Sequence, residues 1–188
     1  MAADCARFSF GKRVLFWLWV RILRVIGYPK PQRKRSMLTD DIRDYANRSV
    51  LCWLATGSDA GPSVSPKEIF ACFGEDRIII ANIASPQSVQ NIARDPSVCV
   101  SFVDVFSQRG WQLYGAANLM RKGDAGFDER QVILQDMAGD AFRVATLFDV
   151  TVTKANEILA PSYRFKKDVT EAEMRDGAMR TYGVKPRD

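Results

Sequence analysis

From residue 36 onward the chain alternates short apolar runs with polar turn residues, and the period of each run predicts its element. Thr39 and Asp40 precede Ile42, Tyr45 and Ala46 at helical spacing, which predicts a short helix opened by a Thr or Asp cap. Residues 49–56 (SVLCWLAT) are almost continuously apolar, as in a buried strand. Residues 57–62 turn the chain, residues 63–73 alternate as a second strand, and Gly74, Glu75 and Asp76 turn it again. Residues 77–83 (RIIIANI) are rich in β-branched side chains and predict a third strand. Residues 97–106, 111–120 and 144–152 read as further strands, with helical spacing over 127–137. Thr170 and Glu173 form a capping box that opens a helix through Met174, Ala178 and Met179, stopped by Gly183. At least six strands without regular strand–helix alternation predict a mainly β fold, a small antiparallel barrel with peripheral helices.

One junction carries candidate chemistry. The strand at 77–83 runs directly into Ser85, Pro86, Gln87 and Ser88, with Val89, Ile92 and Ala93 as the apolar stripe of a helix. Ser85 suits the cap and Pro86 the first helical position, where a missing N–H costs nothing. Taken alone this is an ordinary helix start. It also presents free backbone N–H groups, a partial positive charge and two hydroxyls, the chemistry that accepts a phosphate.

Ahead of this domain, residues 14–26 (VLFWLWVRILRVI) are apolar except for Arg21 and Arg24. On a helical wheel Arg13, Trp17, Arg21 and Arg24 gather on one side, leaving a wide apolar face, so residues 1–35 form a basic extension with an amphipathic helix. Thirteen helical residues span about 20 Å, short of a bilayer core of about 30 Å. The internal arginines and the KPQRKR that follows do not fit a cleaved secretion signal. Two partners suit the face: an anionic membrane surface met through residues 12–35, or the chain's own domain or a second subunit.

Composition narrows the functions. The 188 residues contain no histidine, which excludes Ser–His and Cys–His nucleophile pairs and any His-ligated metal. Cys5, Cys52, Cys72 and Cys99 form no CxxC pair, which suits a reducing compartment and a cytoplasmic protein, peripheral on the inner membrane face if the extension binds lipid. Residues 1–35 hold nine Lys or Arg against Asp4 alone, whereas the remainder carries a net charge of −3. The domain therefore lacks the basic balance of a nucleic-acid groove.

The succession LCWLAT, VSPKEIF, IIIANIASPQSVQNI, DPSVCVSFVDVF and QRGWQLYGAA resembles the pyridoxamine 5′-phosphate oxidase-like FMN-binding split barrel over about residues 37–117. The APSYRF and RTYGVKP segments are similar to the C-terminal part of small members. The resemblance implies a homodimer with FMN, or a deazaflavin as a variant. It places the phosphate at Ser85, Gln87 and Ser88 with Lys67 reaching in, the flavin ring along the backbone of Ala81, Asn82 and Ile83, and Gln108 and Trp111 approaching from later strands. The oxidases open the phosphate helix with Ser-Arg-Lys, whereas this chain has Ser85, Pro86 and Gln87, and it has no match for the residues that hold pyridoxal phosphate. The implied function is a flavin oxidoreductase acting on a small molecule, a flavin or a quinone. The alternative is a non-catalytic carrier or sensor holding flavin or haem in the same barrel.

Overall fold

The computed structural model describes residues 36–186. The amphipathic helix expected within residues 1–35 lies outside the described residues. The domain opens with α1 (Asp40–Arg48), where the Thr39 hydroxyl accepts the Ile42 N–H at 3.3 Å and Ile42, Tyr45 and Ala46 turn inward. Strands β1 (Cys52–Ser58), β2 (Gly61–Lys67), β3 (Phe70–Phe73) and β4 (Arg77–Ala81) follow, then α2 (Pro86–Arg94). Next come β5 (Ser97–Asp104), β6 (Arg109–Arg121), α3 (Phe127–Ala138) and β7 (Thr146–Leu159). Two C-terminal helices, α4 (Pro161–Phe165) and α5 (Glu171–Tyr182), close the described chain.

All the strands form one antiparallel seven-stranded sheet in the order β2-β1-β5-β6-β7-β4-β3. Consecutive strands β2 and β3 are its two edges, yet only Glu68 and Ile69 separate them. From Lys67 to Phe70 the chain reaches at most about 10 Å. The sheet therefore curls until its edges approach each other, and the Ala81 N–H donates to the Ile69 carbonyl at 2.9 Å to tie the link to the end of β4. No ladder joins β2 to β3 among the described residues, so the barrel is split.

The single strand expected over 63–73 is thus two strands, divided where the chain crosses from one edge to the other. Pro62 and Pro66 in β2 fit an edge position, since a proline has no N–H for a second ladder. The continuous apolar character of β4 also has a physical reason. Ile78 and Ile80 face the barrel interior with Leu54, Phe102 and Phe148, whereas Ile79 and Ala81 face a second cluster with Leu134, Phe127 and Leu147 beneath α3. Both faces of β4 are covered, so the alternation disappears.

β6 is longer than the expected 111–120 because the β5–β6 turn is tight. Asp104 accepts the N–H of Phe106 at 3.1 Å, and its backbone carbonyl accepts that of Gln108 at 2.8 Å. Asp104 is buried and also binds Arg48 and Arg175, while Glu171 binds Arg48 and the Tyr45 hydroxyl. This cluster fastens α5, whose capping box pairs Thr170 with Glu173 and whose end at Gly183 is left-handed, to the body of the domain.

Candidate phosphate site at the split of the barrel

Lys67 ends β2 directly opposite Cys52, and Cys52 lies opposite Phe102, which lies opposite Trp111. Residues paired across an antiparallel ladder share a face, so this rung points Lys67 inward, where it is only 7% exposed. Its ammonium donates to the Ser65 hydroxyl at 2.6 Å and to the Ser85 hydroxyl. It makes no ion pair among the described residues; the adjacent Glu68 is exposed and leaves it unpaired. The Cys52 thiol, opposite Lys67 in the ladder, is pushed up to about 12 by burial and stays neutral. Burial accordingly lowers the pKa of Lys67 itself. A buried cation held only by hydroxyls lacks a counter-charge, and an anionic ligand supplies one.

Ser85 is the N-terminal cap residue of α2, but its side chain makes no capping bond, because it faces Lys67 instead. Pro86 begins the helix and no acidic residue lies in its first turn, so the N–H groups there keep their positive potential uncompensated. Ser65, Lys67, Glu68, Ile69, Ala81, Ile83, Ser85 and Phe142 line one cavity of about 290 Å³. It sits at the split, with walls from the edge strand β2, the Glu68–Ile69 link, the end of β4 and the helix start.

The structure thus brings Lys67, Ala81, Ile83 and Ser85 together. Ser88 is buried in the first turn of α2, while Gln87 is exposed and donates to the Asn91 side chain at 2.8 Å, along the helix. Asn82 binds Thr146 through both its backbone N–H and its side-chain amide, each at 3.0 Å, and its Oδ1 is buried without a partner. Gln108 and Trp111 do not line this cavity. Gln108 is an exposed turn residue at φ 54°, and Trp111 packs against the main core. Sequence reasoning did not assign Ser65, Pro66, Glu68, Ile69, Ala84 or Phe142 to the site, although all of them line the cavity. Ser65 was legible, because the two-residue period of a strand puts it on the face of Lys67; Phe142 comes from a loop 75 positions further on and carried no local signal.

The residues present fit the phosphate of a flavin nucleotide: a cation with no ion-pair partner among the described residues, two hydroxyls and a helix start free of acid, with Glu68 the one acidic residue of the lining among the described residues. Among the described residues no helix is long and apolar enough to cross a membrane, and no cluster of His, Cys, Asp or Glu suits a metal ion.

Comparison with known proteins agrees with this architecture. The HupZ protein of Group A Streptococcus is 20% identical, with a TM-score of 0.56 over 66% of this chain and 96% of its own. An FMN-binding protein from Syntrophomonas wolfei subsp. wolfei is 13% identical, with a TM-score of 0.56 over 78% of this chain and 98% of its own. A pyridoxamine 5′-phosphate oxidase-related, FMN-binding protein from Nostoc punctiforme is 12% identical, with a TM-score of 0.52 over 64% and 84%. Among curated proteins, none matches the chain in sequence. The sequence model described as pyridoxamine 5′-phosphate oxidase matches residues 38–160, all seven strands included, and the chain belongs to that family.

Proposed function

We propose that the domain binds FMN, with the phosphate on Lys67, Ser65, Ser85 and the first-turn N–H groups of α2, and that it serves as an oxidoreductase for a small molecule, a flavin or a quinone. The observation that carries this reading is Lys67, a buried ammonium whose partners are all neutral. When bound, the flavin supplies the hydride and electron chemistry, so a site without histidine suffices. The protein's own part is to hold the phosphate by charge and to line the approach to the ring with apolar Ala81 and Ile83. Mass spectrometry of the ligand released from purified protein, followed by FMN titration, tests the reading. A colourless protein that leaves FMN absorbance and fluorescence unchanged refutes it, and a released deazaflavin replaces FMN by that variant.

A carrier or sensor role is the second reading, favoured by the missing Arg-Lys pair: Pro86 and Gln87 leave Lys67 as the only cation lining the cavity among the described residues. Anaerobic reduction by NAD(P)H separates the two, since an oxidoreductase bleaches its bound flavin within turnover times and a carrier does not.

Two partners complete the proposal. A second copy of the chain suits the outer face of β2, β1 and β5, where Val64 is 57% and Trp53 45% exposed. Light scattering of Trp53→Lys against the parent tests this. An anionic membrane suits residues 12–35, with the domain on the cytoplasmic side; liposome flotation with and without residues 1–35 tests that, and equal flotation of the two forms sinks it.

A further inference from the structure

Phe142 lines the Lys67 cavity while remaining 51% exposed. The segment that carries it is pinned by Gln135 of α3. The Gln135 Nε2 donates to the carbonyls of Gly139 and Phe142, each at 2.9 Å, and its Oε1 accepts the Val144 N–H at 3.0 Å. One side chain therefore fixes the backbone on both sides of a ring left in solvent. A half-exposed ring adds little to the core, so this arrangement positions it without a return in packing.

The cavity it borders has a polar part, Ser65, Lys67, Ser85 and the exposed Glu68, and an apolar part that includes Ile69, Ala81, Ile83 and Phe142, with Ile83 41% exposed. At about 290 Å³ it lies at the bottom of the range that encloses a whole ligand. A molecule whose phosphate reaches Lys67 leaves the rest of its body across the exposed apolar residues. We propose that Phe142 is the wall on which the planar ring of that ligand packs. The cavity then favours phosphomonoesters of heteroaromatic ring systems over simple sugar phosphates. The inference rests on the phosphate site proposed above.

The test uses the full chain and two probes: FMN by fluorescence titration, and ribose 5-phosphate, which lacks the ring, by displacement of FMN. Phe142→Ala is expected to weaken FMN about tenfold, to leave the ribose 5-phosphate constant unchanged, and to keep the parent's melting temperature. Phe142→Trp is expected to retain FMN affinity. Lys67→Met is expected to weaken both probes. Parent-like FMN binding by Phe142→Ala overturns the assignment of the ring wall and leaves the phosphate site standing, as does an equal loss for both probes in that variant. A parent protein that binds neither probe overturns the phosphate site and the ring wall with it.

Discussion

Lys67→Met separates ligand binding from folding more cleanly than any other substitution, because the lysine is buried and its partners are both hydroxyls. Methionine keeps most of the stem and removes the charge. A charge-assisted hydrogen bond to phosphate contributes about 1.5 to 3 kcal/mol, so FMN affinity should fall about 10- to 150-fold. The ligand-free domain should respond in the opposite sense or hardly at all: an uncompensated buried ammonium disappears, while two serine hydroxyls each lose a donor. These effects offset to within about 1 kcal/mol, or roughly 2 to 4 °C in melting temperature for a domain of this size. The pH dependence has a defined sign. Burial lowers the pKa of Lys67 below the unfolded value of about 10.4, so in the interval between the two the native state holds fewer protons. Parent stability therefore rises with pH through that interval relative to the variant, and the difference is flat below it. FMN titration and denaturant midpoints from pH 7 to about 10 measure both. Unchanged FMN affinity, or a loss of melting temperature beyond about 8 °C, would refute the reasoning, because the lysine would then be a structural donor.

Ser85→Ala should weaken FMN binding while costing only a few tenths of a kcal/mol of stability in a chemical melt, since its hydroxyl makes no capping bond and a true cap costs about 1 kcal/mol. Gly115→Ala should destabilise strongly, by about 3 kcal/mol or more in denaturant titration, because its added Cβ would stand 1.9 Å from the Thr151 carbonyl oxygen at a bulge in the longest strand pairing. Glu171 is held below the usual carboxylate range chiefly by Arg48, so its contribution is present above about pH 4.3 and lost as pH falls through its lower folded value. Acid melts of Glu171→Gln should consequently show a shallower stability loss below pH 5 than those of the parent, with only a small effect at pH 7, since the side chain is about one-third exposed.

The elements of the domain were largely legible because each is specified locally. The Thr39 and Thr170 caps, the β-branched run at Ile78 to Ile80 and the Ser85–Pro86 helix start all act within a few residues. The break at Glu68 and Ile69 was not, because the alternation of residues 63–73 continues straight through a change of sheet edge. At the site, Lys67 and Ser85 were found through the family resemblance and helix-start chemistry, 18 residues apart, and the curled sheet brings them into contact. Trp111, on the same rung as Lys67, packs partly buried against the core and outside the cavity lining, a placement set by tertiary packing that its strand pattern does not encode. Phe142 depends on a bond pattern centred on Gln135, which no pattern of hydrophobic positions encodes.

The short link between β2 and β3 has a dynamic consequence. Strands with a neighbour on one side only are the first to fray, and in an open sheet the two margins fray independently. Here both margins end within three residues of each other, at the place where the anion is proposed to sit. A ligand that touches Lys67 and Ile69 therefore clamps two remote ends of the sheet at once. Amide exchange in β2 and in β3 should slow together on binding, as a single cooperative unit, although no hydrogen bond of either ladder has changed.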